Sequence, residues 1–141
     1  DAAIEMEARV NDAIKNGAKC LIGNKREGAV YSPTVLDFVD NSYEVVAKET
    51  FGPVVAIDRF ASVDDAIARA NDSIYGLGAV VFGTADAKKV AQQLRAGMIG
   101  SNQGVGAGGD APWVGAKQSG VVYHGSGECH RQFSQVTVIN H

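Results

Sequence analysis

The chain has 141 residues, enough for one ordinary domain with a hydrophobic core of its own. Hydrophobic residues make up 45% of it and charged residues 21%, which is a globular composition, and no apolar run is long enough to cross a bilayer. A net charge of −3 lacks the basic surplus with which proteins bind a phosphate backbone. We therefore expect neither a nucleic acid nor a membrane as partner.

The cysteines and the first residue give two further expectations. Cys20 and Cys129 are the only cysteines and show no pairing pattern, so we expect a reducing, cytoplasmic location. The sequence begins with Asp1 rather than Met, from which we expect a chain that is processed, trimmed or part of a longer protein.

The first part of the chain predicts one amphipathic helix and two extended segments. The helix covers residues 2–16, and Gly17 is expected to end it with a positive φ. The apolar face of this helix comprises Ala3, Met6, Val10, Ala13 and Ile14. The run Lys19–Ile22 predicts a strand, and Val30–Leu36 predicts an extended stretch in which Pro33 indicates an edge position or an irregularity.

A regular alternation of strands and helices follows a polar connection predicted for residues 37–48. Val54–Phe60 is predicted to be a strand. Ser62 is expected to cap the next helix, with Asp65 at the capping-box position. The core-facing residues of that helix are predicted to be Ala66, Ile67 and Ala70.

The alternation continues with a buried strand at Gly78–Phe82, a helix capped by Thr84 and ended by Gly97, and a strand at residues 98–102. The apolar stripe of this helix comprises Ala87, Val90, Ala91 and Leu94. Strands and helices joined by short turns are typical of βαβ units. The sequence thus predicts an α/β fold with a largely parallel sheet and flanking helices.

The last third of the chain is rich in glycine, since ten of the seventeen glycines lie between Gly97 and Gly127. After Asn102 we predict a long loop, and long ordered loops are usually functional. A short helical turn is expected around Glu128–Phe133, followed by a last strand at residues 135–140.

Gly104, Gly106 and Gly109 have the G-x-G-x-x-G spacing of a dinucleotide-binding turn. Such a turn needs a strand before the glycines and a helix that opens at the third. Residues 98–102 supply the strand, but the residues after Gly109 show no helical stripe. We therefore favour a flexible or substrate-lining loop and keep an independent nucleotide-binding module as an alternative.

The sequence offers no catalytic nucleophile and no metal site. Cys20 lies inside an apolar strand, and Cys129 and His130 are adjacent on a predicted helical turn, where neighbouring side chains point in different directions. His124, Cys129 and His130 lack the spacing of a metal site. We assign no catalytic residue and no metal ligand to this chain.

The stretch K-E-T-F-G-P-V-V-A-I-D-R-F at residues 48–60 places Glu49 and Phe51 at the entrance of a strand. A carboxylate can accept two hydrogen bonds from a vicinal diol such as a ribose, and an aromatic ring offers a face to a flat heterocycle. Taken alone, a solvated glutamate before a strand is the simpler interpretation.

Four segments stand out as a set: K-E-T-F-G-P-V (48–54), A-I-A-R-A-N-D-S-I-Y-G-L-G-A-V-V-F (66–82), L-R-A-G-M-I-G-S-N (94–102) and A-P-W-V-G-A-K-Q-S-G (111–120). In this order and spacing they resemble the aldehyde dehydrogenase superfamily, and the resemblance covers essentially the whole chain. It implies that residues 1–141 are the C-terminal portion of one aldehyde dehydrogenase-like catalytic domain.

The resemblance implies a part in the oxidation of an aldehyde to a carboxylic acid with NAD or NADP. In the family a cysteine thiolate attacks the aldehyde to give a thiohemiacetal, hydride passes to the nicotinamide, and a glutamate-activated water hydrolyses the thioester. By this resemblance Glu49 hydrogen-bonds the nicotinamide ribose, while Phe51 and Leu77 lie near the nicotinamide ring. The family's nucleophile and general base precede the part that this chain matches, so the chain alone is expected to be inactive.

The resemblance also assigns the glycine-rich loop to the substrate tunnel, with Val105, Ala107 and Trp113 beside the route of the aldehyde. Where the family has P-F-G-G, this chain has Pro112-Trp113-Val114-Gly115, which implies a reshaped pocket. Residues 135–141 resemble the family's oligomerisation strand, which pairs with a neighbouring subunit of a homodimer or homotetramer.

Two hypotheses of different classes follow. In the first, the chain is the cofactor-side and substrate-lining portion of an NAD(P)-dependent aldehyde dehydrogenase. In the second, it is a non-catalytic, truncated assembly module that keeps the oligomerisation strand. The identity of the aldehyde, and the choice between NAD and NADP, depend on residues outside this sequence.

Overall fold

The structure is a computed structural model that describes residues 1–83, 85–106, 111–127 and 129–140. The chain divides into two compact units, Asp1–Arg69 and Ala70–His141. Both units combine helices with small sheets, so the chain is an α/β protein.

The first unit begins with helix α1, Ala2–Lys15. Met6, Val10 and Ala13 are buried on one side of it, and Ala3 and Ile14 pack against the same core. Gly17 follows with a φ of +117°, a conformation that side chains rarely tolerate. The predicted helix, its apolar face and its glycine stop are confirmed.

A three-stranded sheet of order β1-β4-β5 lies against this helix, and an antiparallel hairpin, β2-β3, is inserted between its first two strands. The bounds are β1 Lys19–Ile22, β2 Arg26–Glu27, β3 Val30–Tyr31, β4 Thr34–Asp37 and β5 Val54–Ile57. Strand β4 runs antiparallel to β1 and parallel to β5. Pro33 separates β3 from β4, which is the irregularity expected from a residue without an N–H.

The core of the first unit forms where α1 meets β4. Its buried hydrophobic residues are Met6, Val10, Ala13, Ala18, Tyr31, Leu36, Val39 and Val45. Thr34 is buried with them. Its hydroxyl is hydrogen-bonded twice, because it accepts the N–H of Asn24 at 2.8 Å and donates to the carbonyl of Ser32 at 2.9 Å.

Three details of this unit differ from the expectations. The supposed connection 37–48 contains a single turn of helix, α2 (Glu44–Ala47), with Val45 buried. Strand β5 ends at Ile57 rather than at Phe60. Directly after the strand, the Asp58 carboxylate accepts a hydrogen bond from Arg69 of the next helix at 2.9 Å.

Helix α3, Val63–Asn71, has the predicted cap: the Ser62 hydroxyl accepts the N–H of Asp65 at 3.1 Å, and the Asp65 carboxylate accepts the N–H of Ala61 at 3.1 Å. Ala66 and Ile67 are half-buried, whereas Ala70 is exposed. The expectation that Ala70 faces a core is wrong within the described residues, because α3 has no fully buried residue there.

The second unit contains a parallel pair of strands, β6 (Gly78–Val81) and β7 (Met98–Ser101), with helix α4 (Ala87–Ala91) packed against both. Ala87 is buried and Val90 and Ala91 are half-buried, which confirms this part of the stripe; Leu94 is half-buried but lies beyond the helix, which ends at Ala91 rather than at the predicted Gly97. The expected buried strand is wrong, since alternate residues of β6 are exposed and Phe82 after it is 74% exposed. A two-stranded sheet with one helix on it leaves its other face uncovered. The predicted cap Thr84 lies outside the described residues.

The glycine-rich region contains more regular structure than expected. Strands β8 (Trp113–Val114) and β9 (Tyr123–His124) form an antiparallel pair. A 3-10 helix covers Cys129–Phe133, as predicted, although Glu128 lies outside the described residues. The Gln132 side chain joins the 3-10 helix to β9, since it accepts the N–H of Tyr123 at 3.0 Å and donates to the carbonyl of Tyr123 at 2.8 Å.

Residues 135–140, predicted to form a strand, make no ladder with the described residues of this chain and are exposed. A strand needs a neighbour for its backbone N–H and C=O groups, and the described residues supply none at that place. The prediction of a strand at residues 135–140 is therefore wrong for the described chain by itself. The pairing of this segment with a neighbouring subunit stays a prediction.

Among the helices of the described residues, none combines the length and the apolar character that a bilayer crossing requires.

The ion pair of Asp37 with Arg59 predicts an acid-sensitive contribution to stability. Arg59 donates from Nε to the Asp37 carboxylate at 2.9 Å and lies over the Phe38 ring at 4.5 Å. The hydrogen bond from Arg59 holds the pKa of Asp37 below its ordinary value. Because the folded-state pKa is the lower one, the contribution is present above the unfolded pKa, about 3.9, and is lost as the pH falls through the folded value.

Asp37→Asn should accordingly lower the Tm at pH 7, and the difference from wild type should stay constant down to about pH 5 and shrink as the pH falls further, through the unfolded and then the folded pKa of Asp37. Thermal unfolding followed by circular dichroism at a series of pH values measures it. Asp12→Asn, an exposed carboxylate of α1, is the control and should stay near the wild-type curve. A pH-independent Tm difference for Asp37→Asn would contradict the interpretation.

The close approach of Gly97 to β8 predicts a steep penalty for a single methyl group. A Cβ at Gly97 would lie 2.1 Å from the carbonyl oxygen of Val114, whereas a Cβ at Gly104 would meet nothing within 4 Å. Gly97→Ala should destabilise the protein by about 1–3 kcal/mol. Gly104→Ala, the matched control, should leave the free energy of unfolding unchanged or slightly raised. Urea unfolding of both variants checks this, and equal effects would show that the approach is not rigid.

Candidate active site

The loop between α2 and β5 carries the first two predicted site residues on an anchored backbone. Arg9 of α1 donates from Nη1 to the carbonyl of Glu49 at 2.8 Å. The Thr50 hydroxyl donates to the carbonyl of Val45 at 2.8 Å. Gly52 lies so close to α1 that a Cβ there would be 2.5 Å from the Met6 methyl group. The backbone of this loop is therefore turned toward α1.

The side chains of Glu49 and Phe51 extend to the outside of the same loop. Phe51 is 90% exposed and Glu49 is exposed as well. Among the described residues, none forms a hydrogen bond or ion pair with the Glu49 carboxylate. The loop thus offers two hydrogen-bond acceptor oxygens and one aromatic face. These are the groups that can bind a ribose diol and a planar ring.

Arg9, which holds the carbonyl of Glu49, is a residue that the sequence pattern did not single out. Its side chain is only 14% exposed and forms ion pairs with Glu5 and, at 3.5 Å from Nε, with Glu44. Hydrogen bonding from Lys48, together with the charges of Lys48 and Arg9, lowers the pKa of Glu44. The only signal in the sequence is Glu5 four residues before Arg9, which is typical of any surface pair on a helix.

Leu77 directly precedes β6 in the second unit, and Val105 lies beside Gly78, the first residue of that strand. Leu77 is 40% exposed, and its carbonyl accepts the N–H of Met98 at 3.1 Å. Val105 is half-buried, and its Cγ2 lies 3.1 Å from the position that a Cβ would take on Gly78, the residue after Leu77. The glycine-rich loop thus returns to the start of β6, directly after Leu77.

Trp113 is held by the β8-β9 pair. Its indole stacks on the imidazole of His124, its cross-strand neighbour, with ring centroids 6.4 Å apart and planes inclined by 21°. Trp113 is half-buried and His124 is exposed. Ala107, the remaining predicted substrate residue, lies outside the described residues.

The glycine motif does not have the surroundings of a dinucleotide-binding turn. A Cβ on Gly104 or Gly106 would meet nothing within 4 Å, and Gly109 lies outside the described residues. In the described stretch 111–127 the chain forms strands β8 and β9 and no helix begins. A helix N-terminus for a pyrophosphate is thus missing from that stretch.

The cysteines occupy ordinary structural positions. Cys20 lies in β1, and its thiol donates to the carbonyl of Ile22 at 3.4 Å. Cys129 is half-buried at the start of the 3-10 helix, and both thiols are free. In the part of the chain that the structure describes, no cluster of three His, Cys, Asp or Glu side chains is placed to hold a metal ion.

Comparison with known sequences gives one family. The profile of the aldehyde dehydrogenase family matches residues 1–139. Over 132 residues the chain is 39% identical to the mitochondrial succinate-semialdehyde dehydrogenase of Arabidopsis thaliana, covering 89% of this chain and 25% of that protein. Over 124 residues it is 40% identical to succinate-semialdehyde dehydrogenase [NADP(+)] of Deinococcus radiodurans, covering 84% of this chain and 26% of that protein.

Comparison with solved structures agrees. The crystal structure of Mycobacterium tuberculosis aldehyde dehydrogenase complexed with NAD+ matches with a TM-score of 0.86 at 34% identity, over 95% of this chain and 29% of that one. The chain thus spans about a quarter of the length of the curated relatives it matches. The profile, the sequence relatives and the fold all confirm the resemblance found in the four segments, and the chain belongs to the aldehyde dehydrogenase family.

Proposed function

We propose that this chain supplies the nicotinamide side and the substrate-access side of an NAD(P)-dependent aldehyde dehydrogenase, as the C-terminal portion of its catalytic domain. The single observation that carries the proposal is the loop at Glu49 and Phe51, whose backbone is fastened to α1 while both side chains face outward. Family membership supplies the chemistry for which such a pair is suited.

Glu49 binds and orients the cofactor in this proposal. Its two carboxylate oxygens accept hydrogen bonds from the vicinal hydroxyls of the nicotinamide ribose, and Arg9 keeps its backbone in place. When bound, the nicotinamide would supply the hydride acceptor for the oxidation of the aldehyde. Phe51 covers one side of the ring and excludes water, which accounts for an aromatic side chain that is otherwise 90% exposed.

The access route of the aldehyde in this proposal is formed by Val105, Ala107 and Trp113, while Leu77 stands near the nicotinamide ring and the reacting centre. Val105 gives an apolar surface beside Gly78 at the start of β6, and Trp113 gives a broad aromatic face beside His124. Apolar walls of this kind shape a pocket and exclude water, whereas they leave the chemistry to other groups.

No residue of this chain is assigned as nucleophile or general base. The thiol of Cys20 lies within a strand and is hydrogen-bonded to that strand's own backbone, so it does not have the surroundings of an activated thiolate. The proposal assigns both catalytic groups to a part of the catalytic domain that this sequence does not include. Two free cysteines also support a reducing, cytoplasmic location.

Residues 135–140 carry a second proposal, pairing with a neighbouring subunit in a homodimer or homotetramer. Val136, Val138 and Ile139 are largely exposed, and the segment has no ladder within the described chain. Adding such a segment to the edge of a sheet satisfies its backbone groups and buries its apolar side chains. A non-catalytic assembly module would use the same segment, so the kinetic test below distinguishes the two hypotheses.

Glu49→Gln tests the cofactor role in the full-length polypeptide. The amide keeps one acceptor oxygen and loses the charge, so kcat/KM for NAD or NADP should fall about 10- to 100-fold, as expected for a charge-assisted hydrogen bond of about 1.5–3 kcal/mol. Succinate semialdehyde, the substrate named for two relatives, is the first aldehyde to assay.

Glu27→Gln, an exposed glutamate of β2, is the control for Glu49→Gln and should keep wild-type kinetics. Wild-type cofactor kinetics in Glu49→Gln would remove Glu49 from the site. Absence of aldehyde oxidation by the full-length wild type, with each of several aldehydes and both cofactors, would favour the assembly module.

Val138→Asp tests the oligomerisation proposal. Val138 is 78% exposed, and a charge there would be buried without a partner on pairing, so the assembly should dissociate into smaller species in light-scattering chromatography. The matched control is Val121→Asp, also in the second unit and 93% exposed, which should leave the mass unchanged. An unchanged mass for both variants would place the subunit contact elsewhere.

A further inference from the structure

The turn Ala116–Ser119 closes over the segment that leads into β6, and the two are joined by a dense set of hydrogen bonds. The N–H of Ala116 donates to the carbonyl of Gly76 at 3.0 Å, and the N–H of Gln118 donates to the carbonyl of Ile74 at 3.0 Å. The Ser119 hydroxyl accepts the N–H of Gly76 at 3.0 Å. Gly76 is buried between the carbonyls of Arg95 and Ala116, each 3.1 Å from where its Cβ would be.

Lys117 reaches further along the same segment than its neighbours do. Its ammonium group donates to the carbonyl of Asn71 at 3.0 Å and to the carbonyl of Ser73 at 2.9 Å. Asn71 is the last residue of α3, so the cation also lies at the negative end of a helix. Lys117 has a φ of +54°, which a lysine adopts only when its surroundings require it.

The end of α3 is held from its other side as well. The Asn71 side chain donates to the carbonyl of Gln93 at 2.9 Å and accepts the N–H of Arg95 at 2.7 Å. The N–H of Gly97 donates to the carbonyl of Gly76 at 2.8 Å. Residues 71–76 are therefore fixed at both ends, and the first side chain beyond them is that of Leu77.

We propose that Lys117 is a positioning residue for the reaction, which holds the segment 71–76 so that Leu77 stands at a fixed place beside the reacting centre. The inference rests on the proposed function, since it takes the role of Leu77 from there. Lys117 acts through backbone carbonyls and touches neither cofactor nor aldehyde in this scheme. Two charge-assisted hydrogen bonds restrain a loop more firmly than neutral ones do.

Lys117→Met in the full-length polypeptide removes both hydrogen bonds and keeps the length of the side chain. Amide hydrogen exchange in the peptide 72–78 should become faster, and kcat should fall about 10- to 100-fold because misplacement near the reacting centre is costly. The isotope effect on kcat with an aldehyde deuterated at the carbonyl carbon should rise, as hydride transfer becomes the slow step. Lys117→Arg, which keeps a cationic donor, should recover part of kcat.

Lys89→Met is the matched control, because Lys89 is an exposed lysine of the same unit paired with Asp86 at 3.0 Å. It should leave exchange in the peptide 72–78, kcat and the isotope effect unchanged. Unchanged amide exchange in Lys117→Met would show that the two hydrogen bonds of Lys117 do not hold the segment 71–76. Faster exchange with an unchanged kcat and isotope effect would show a purely structural lysine, and either result overturns the inference. Aldehyde oxidation by the wild type in that same assay would leave the proposed function intact, whereas its absence would overturn both.

Discussion

The packing of helix α1 against the buried strand β4 is the contact on which the first unit depends. Val10 and Leu36 are fully buried at its centre. Once α1 is in place, two of its residues position the loop between α2 and β5. Met6 lies against Gly52, and Arg9 holds the carbonyl of Glu49. A hydrophobic contact therefore fixes a loop whose own side chains face outward.

The second unit uses a different device, because it has few buried side chains. Backbone hydrogen bonds converge on Gly76 from two separate segments, and a Cβ at this position would lie only 3.1 Å from the carbonyl oxygens of Arg95 and Ala116. Close approach of backbones replaces side-chain packing here. The glycines of A-G-M-I-G and W-V-G-A-K serve this approach, whereas Gly104 and Gly106 meet nothing in the described chain and leave room for other groups.

Many large apolar side chains remain on the surface of both units. The most exposed are Ile22, Val30, Phe51, Phe60, Phe82, Val121, Phe133, Val136, Val138 and Ile139. Apolar surface of this extent marks places where other protein or ligand surfaces attach. Phe51 and the segment 135–140 are assigned such roles in the proposals.

The sequence by itself determined the elements whose signals are local. The 3.6-residue periodicity of α1, the glycine after it, the Ser62 cap and the four segments that identify the family all lie in short stretches, where side-chain pattern and backbone geometry are directly linked. The same segments supplied Glu49, Phe51, Leu77 and Trp113 as candidate site residues, and their roles remain proposals.

Only the tertiary structure decided what depends on residues far apart in the chain. Arg9 and Lys117 act on carbonyls 40 and at least 44 positions away, and no local pattern encodes such a partner. The burial of β6 and the end of the chain were misjudged for the same reason, because an apolar strand is covered only if another element reaches it. Sequence pattern sets which face of an element is apolar, but the fold decides what covers that face.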